Sequence, residues 1–362
     1  MRVSVRTSLV LVVYHLHSYK AIAKALSDQV QSALKAFLVS VACQTRLIHR
    51  GFTTAEADIM FNEISPNDPF HLAVIFLTEG DPQGGWWHTS AHGHQKDSTV
   101  CEEDFLSTCL VNLEDVAERA VTARIFGVSC GYNLKVNGTI NSIVRFLERT
   151  PYQSFVTPST SSLLMCDYIP IFPEIFLNLY YFGTALEPAL YRVWGKSKEA
   201  RSHTGLMLFT RSPESVEMQV KAISYAPIAS RPLGVPLPLL QTICGCDNDG
   251  MKWSFKKTFV NGLEAIFIYR APCCQVELQV GIYPGNRQKF VQHEMHFVVE
   301  NWDRESDYFT FNDSDNVKMK ILPPRFDGKP SLVCRDRPWT TAGINAAKME
   351  EQFAEYMNVN TM

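Results

Sequence analysis

The chain has 362 residues, 46% of them hydrophobic and 20% charged, a globular composition with enough length for two domains. Its formal net charge is −3 and no local cluster of Lys and Arg offsets it, which argues against nucleic acid and membrane surfaces as partners. Ten cysteines are too sparse here for a disulfide framework, so a reducing, cytoplasmic setting is expected.

Arg2 and Arg6 precede the apolar run 8–14 with the outline of a signal peptide, but His15, His17 and Lys20 interrupt it at once. The stretch SLVLVVYHL (8–16) reads instead as a buried strand. Residues 18–38 set Ile22, Ala25, Leu26, Val30, Leu34 and Leu38 on one helical face. A short helix behind a Thr cap is expected over 53–64, and HLAVIFLTE (71–79) is the next strand. Residues 101–120 read as a helix with acidic groups in its first turn, where the helix dipole favours them. Strand 121–129, helix 138–150, strand 153–160, helical segments over 172–199 and strand 203–210 follow. Strands separated by helices imply parallel crossovers, so the fold expected for residues 1–214 is α/β, a three-layer sandwich around a mostly parallel sheet. In such sheets, sites form in the loops at the carboxyl ends of strands.

Two such loops carry reactive side chains. GGWWHTSAHGHQKD (84–97) follows one apolar strand and holds His88, His92 and His94. SCGYN (129–133) follows another. Three imidazoles with Asp97, or with a distant His203, would suit zinc, and HGHQKD loosely resembles the H-x-H-x-D run of metallo-β-lactamase-like hydrolases, with Asp97 one place late. A metal-dependent hydrolase at His88, His92 and His94 is thus one reading. A second joins the loops. Cys130 as a thiolate needs an imidazole within reach, and His92 could supply it. Gly131 would let a substrate backbone approach, and Gly93 has an unhindered N–H. Trp86 and Trp87 would either wall a cleft or bury against a helix. His88 and His94 read as solvated loop residues or as aids to orienting substrate.

SAHGH followed by a helix and then IFGVSCG resembles the caspase-like cysteine peptidases, in particular their diverged CHAT branch. The resemblance covers a little over half the chain. It implies an α/β sandwich in which one strand leads to a His-Gly pair and the next ends at the nucleophilic Cys. Carried over, Cys130 is the nucleophile, His92 is the general base, and the backbone N–H groups of Gly93 and Cys130 form the oxyanion hole. Trp87, Gly131 and Asp167 would then contact a protein or peptide substrate, and no cofactor is required for catalysis. Trp86, Trp87 and His88 make a bulkier approach than that family leads one to expect. Because the family includes inactive members, a catalytically inactive scaffold that binds a regulatory protein partner is the alternative.

The pattern changes after about residue 214. SRPLGVPLPLL (230–240) is a Pro-rich connector, and period-two runs at 263–271, 275–283, 295–302, 307–313 and 317–322 indicate antiparallel β structure. A β-rich domain is expected over 215–335, with a C-terminal helical tail over 336–362 that holds a helix at 342–357. Cys244 and Cys246, then Cys273 and Cys274, occupy two short loops flanking a strand. They look like a degenerate zinc ribbon, whose C-x-C and C-C spacings strain tetrahedral binding of a structural zinc. HEMH (293–296) lies on a strand-like stretch, which would turn its histidines to opposite faces.

Overall fold

The first apolar run becomes strand β1 (Ser8–His15), buried along all but its first residue. The structure is a computed structural model and describes residues 8–37, 39–48, 68–89, 99–136, 138–159, 163–197, 199–200, 205–211, 217–225, 237–238, 240, 253–260, 264–273, 275–282, 289–293, 296–300 and 317–322. Helix α1 (Lys20–Lys35) follows, then β2 (Val41–Leu47) and β3 (Phe70–Leu77). β1 lies between β2 and β3 and pairs parallel with both. A strand paired on each edge and covered on each face has no wet side, so its sequence shows no polar alternation.

The chain continues through the short strands β4 (Trp86–Trp87) and β5 (Thr99–Val100), which pair antiparallel, to α2 (Glu102–Leu110) and α3 (Glu114–Arg119). The single helix expected over 101–120 is interrupted by a 3-10 turn at Val111–Leu113, where β-branched Val111 and Asn112 are weak helix formers. Strand β6 (Thr122–Val128), helix α4 (Thr139–Arg149) and strand β7 (Ser154–Pro158) come next. Then come α5 (Met165–Tyr168), α6 (Phe172–Tyr180), α7 (Leu186–Lys196), β8 (Leu206–Arg211) and β9 (Met218–Tyr225).

The sheet runs β9-β8-β7-β6-β3-β1-β2. From β2 to β7 the pairs are parallel, and β8 is antiparallel to β7 and to β9. On one face Leu9, Leu11 and Val13 of β1 meet Leu26, Val30 and Leu34 of α1, with Phe172 and Phe176 of α6 and Trp194 of α7 in the same core. On the other face Phe76 of β3 packs edge-on to Phe105 of α2, with ring centroids 5.4 Å apart, and Tyr14 donates to the Cys109 carbonyl at 2.8 Å. Two helical layers therefore enclose a mostly parallel sheet, the α/β class expected for this half.

The chain forms two compact units, Met1–Tyr225 with Val298–Tyr308, and Ala226–Phe297 with Phe309–Met362. β9 lies beyond the boundary expected at 214 and belongs to the first unit. The later strands are β10 (Ser254–Val260), β11 (Ala265–Arg270), β12 (Glu277–Ile282), β13 (Lys289–His293), β14 (His296–Glu300) and β15 (Val317–Leu322). β14, whose residues 298–300 belong to the first unit, neighbours β9. In the second unit β10-β11-β12-β15 form an antiparallel sheet, with Phe267, Tyr269, Leu278 and Val280 buried. His293 closes β13 and His296 opens β14, so HEMH spans two strands and not one. The segments 53–64, 307–313 and 342–357 lie outside the described residues. Among the described residues no helix is long and apolar enough to cross a membrane.

Candidate functional site

Parallel pairing brings the carboxyl ends of β3 and β6 side by side, with Leu77 opposite Val128. The Thr78 N–H donates to the Val128 carbonyl at 3.3 Å and carries the pairing one step further. Glu79 and Cys130, each two residues beyond the Leu77–Val128 pair, are thereby neighbours in register. Cys130 is half-buried, and its thiol lies 3.5 Å from the Gly80 carbonyl, as a donor to it. Gly131 is buried and opens a 3-10 turn, Gly131–Lys135. A Cβ on Gly131 would lie 2.9 Å from the Pro158 carbonyl, so the close approach its bare backbone permits is that of the chain's own strand end.

Two residues absent from the sequence reading join the thiol. The Tyr19 hydroxyl, in the turn after β1, donates to Oε1 of Glu79. Burial pushes the Tyr19 phenol above its usual range, followed by the hydrogen bond and charge of Glu79 and then by the charge Cys130 would carry as a thiolate. Phenol, carboxylate and thiol thus meet where β1, β3 and β6 end. Only the position of Glu79 at the end of an apolar strand could have marked it in the sequence.

After β3 the chain turns back on itself. The Asp81 N–H donates to the Gly85 carbonyl and the Gly84 N–H to the Asp81 carbonyl, both at 3.0 Å. Gly85 has φ +87°, and a Cβ there would stand 2.3 Å from the Val100 carbonyl, so this tight turn admits only glycine. It returns Trp87 alongside Thr78 and Glu79: the Trp87 N–H donates to the Glu79 carbonyl at 2.9 Å and the Thr78 hydroxyl to the Trp87 carbonyl. Trp86 buries against α2, its ring 5.3 Å from Phe105 and 5.5 Å from Phe155. His88 is buried as well, which corrects its reading as a solvated loop residue: the residue just past β4 is carried inward by the ribbon. Trp87 is half-buried and next to the site.

Glu102 ties these loops together. It is 3% exposed, and its Oε1 accepts from the Gly85 N–H at 3.0 Å, the Asn133 amide at 2.8 Å and the Thr139 hydroxyl at 3.4 Å. One carboxylate thereby joins the turn after β3, the Cys130 loop and the first turn of α4. Burial raises its pKa against the opposing pull of these hydrogen bonds. Its neighbour Glu103 faces outward to Arg145 and Arg149 of α4, at 2.9 and 2.7 Å.

His92, Gly93, His94, Asp97 and His203 lie outside the described residues. Asp167 sits on α5, beyond β7, half-buried, and accepts from the Cys166 thiol at 3.5 Å. Cys273 is buried at the tip of the β11–β12 hairpin, while Cys244, Cys246 and Cys274 lie outside the described residues. Two paired strands, β10 and β11, separate the two cysteine loops, where the sequence suggested one. Among the described residues no cluster of His, Cys, Asp and Glu could hold a metal ion.

The geometry offers a half-buried thiol near a hydrogen-bonded carboxylate. A Cβ on Gly80 would fall 2.4 Å from the Cys130 carbonyl oxygen and 2.6 Å from Asn133 Oδ1. Gly80→Ala is therefore expected to shift the Cys130 backbone and to change the rate of alkylation of that thiol at least severalfold, read by mass spectrometry of the Cys130 peptide; an unchanged rate would mean that the two loops are not locked together. No family model matches the chain, and no curated protein is significantly similar to it.

Proposed function

We propose that the first unit is a caspase-like, CHAT-type cysteine peptidase domain acting on a protein or peptide substrate in the cytoplasm, with Cys130 as nucleophile and His92 as general base. The observation that carries this reading is the half-buried thiol immediately past β6, beside a parallel neighbour, β3, whose continuation leads to His92. In the proposed reaction the imidazole takes the thiol proton and the sulfur attacks the scissile carbonyl carbon. The N–H groups of Gly93 and Cys130 hold the oxyanion. The proton passes to the leaving amine, and water then cleaves the thioester and regenerates the thiol.

Cys130→Ala and His92→Ala are each expected to abolish peptide turnover without unfolding the chain. Peptidase assays beside circular dichroism read both effects, and turnover at the wild-type rate in either variant refutes the dyad. The second reading is a non-catalytic scaffold that binds a regulatory protein. It is favoured by the thiol's hydrogen bond to the Gly80 carbonyl and by the carboxylate beside it, both of which favour a neutral thiol over a thiolate. An electrophilic peptide probe separates the two: selective capture of Cys130 supports the peptidase, and capture no faster than at the other cysteines supports the scaffold.

A further inference from the structure

The register of the sheet raises a question about the thiol that the dyad leaves open. On the continuation of β3, the residue standing across from Cys130 is Glu79; His92 lies further along the chain. Among the described residues, an acid anchored by a hydrogen bond from Tyr19 is thus set near Cys130.

We propose that Glu79, held by Tyr19, keeps Cys130 as a neutral thiol and so sets how readily this site becomes nucleophilic. The geometry supports it from three sides. The parallel pairing ends at Leu77 and Val128, its register continued by two residues sets Glu79 across from Cys130, and both groups act on the Tyr19 phenol. The thiol already has an acceptor for its proton in the Gly80 carbonyl, an arrangement that only the protonated sulfur can use. Gly80 admits no side chain between the two loops, because a Cβ would meet the Cys130 carbonyl. Tyr19 from the turn after β1 and Glu79 after β3 come together at this point; His15 closes β1 opposite Leu77 with its Nδ1 against the Leu16 carbonyl, His17 opens the Tyr19 turn, and the end of β7 brings uncharged Pro158 and Ser159 against Gly131. A phenol stays neutral near pH 7 and adds no positive charge that would favour thiolate. Glu79 is thus a positioning residue that acts on the thiol by charge. An imidazolium brought up beside it, as the proposed dyad requires, would offset that charge and release the thiolate. The inference rests on the peptidase reading only for this last step.

The test is the pH dependence of alkylation of Cys130 in the full chain by iodoacetamide, read by mass spectrometry on the Cys130 peptide, with Cys130→Ala as background and circular dichroism to verify folding. Glu79→Gln is expected to lower the pH of half-maximal alkylation by about one unit. The rate near pH 7 then rises about threefold or more, because a more acidic thiol gives back part of the gain as weaker nucleophilicity. Glu79→Asp keeps the charge and is expected to stay within a few tenths of a unit of wild type. Glu79→His, which sets an imidazole opposite the sulfur, is expected to lower the midpoint beyond Glu79→Gln and supplies an independent reading should the Gln variant misfold. A midpoint that is unchanged or raised in Glu79→Gln or Glu79→His overturns the proposal, as does an Asp variant that moves as far as Gln. No substrate is involved, so a chain that alkylates as expected but cleaves nothing loses only the peptidase reading. A chain that cleaves through Cys130 and His92 with a flat response at Glu79 loses only this one.

Discussion

Glu102→Ala is expected to lower the free energy of unfolding by about 3 kcal/mol, while Glu102→Gln lowers it by less than about 1 kcal/mol. The alanine leaves the Gly85 N–H, the Asn133 amide and the Thr139 hydroxyl without the oxygen they share, and buried donors stripped of their acceptor carry the full cost of having left water. Glutamine keeps a carbonyl oxygen in that place. The two variants also differ from the wild type in pH dependence. Burial holds the Glu102 carboxyl above the ordinary carboxylate range in the folded chain, so the native state binds its proton more tightly than the unfolded state. That contribution is fully present below the unfolded carboxylate value of about 4 and is lost as pH rises through the raised folded value. The stability of wild type relative to Glu102→Gln therefore declines with rising pH across this window. Urea unfolding of the three proteins over a pH series measures both effects. A gap between wild type and Gln that stays constant with pH would mean the buried carboxyl titrates normally.

Trp86→Ala is expected to cost about 3–5 kcal/mol, the range for deleting a large aromatic from a packed core. The ring is 1% exposed and wedged between Phe105 and Phe155. Its indole N–H is buried with no hydrogen-bond partner among the described residues, so Trp86→Phe gives up volume but no polar contact there and is expected to cost only about 1–2 kcal/mol. Chemical denaturation ranks the pair. A loss in Trp86→Phe well above this range would show that the indole N–H makes a hydrogen bond in solution. Because Trp86 anchors the ribbon whose next residue bonds Glu79, Trp86→Ala should also perturb alkylation of Cys130, and Trp86→Phe should not.

Much of the first unit is legible in the sequence because its strands are buried on both faces. β1 and β3 announce themselves as long apolar runs, β6 through its buried IFGV end, and α1 shows its inward face through Leu26, Val30 and Leu34. β2 is hidden for the opposite reason: at the edge of the sheet it is paired only to β1, and its burial fades from Val41 toward Leu47. β9 does alternate, with Met218, Val220 and Ala222 inward, but it follows a change of pattern that suggests a new domain. At the site, Cys130 stands out as a cysteine past an apolar run with glycine after it. Tyr19 and Glu79 do not, because sixty positions of chain separate two groups that only the sheet brings together. Glu102 misleads more subtly. An acid in the first turn of a helix is ordinarily explained by the helix dipole, yet this one turns inward to hold three donors, while Glu103 beside it takes the surface role.

The first unit closes with residues 298–308, although everything else in it is complete by Tyr225. A nascent chain must therefore emerge through all of residues 226–297 before that last piece is on hand, a delay of roughly 4–14 s at ordinary elongation rates of 5–20 residues per second. During that interval β9 waits at an open flank of the sheet with its outer N–H and C=O groups uncovered, an invitation to chaperones or to a neighbouring nascent chain. The same threading means that no single proteolytic nick can release the first unit whole.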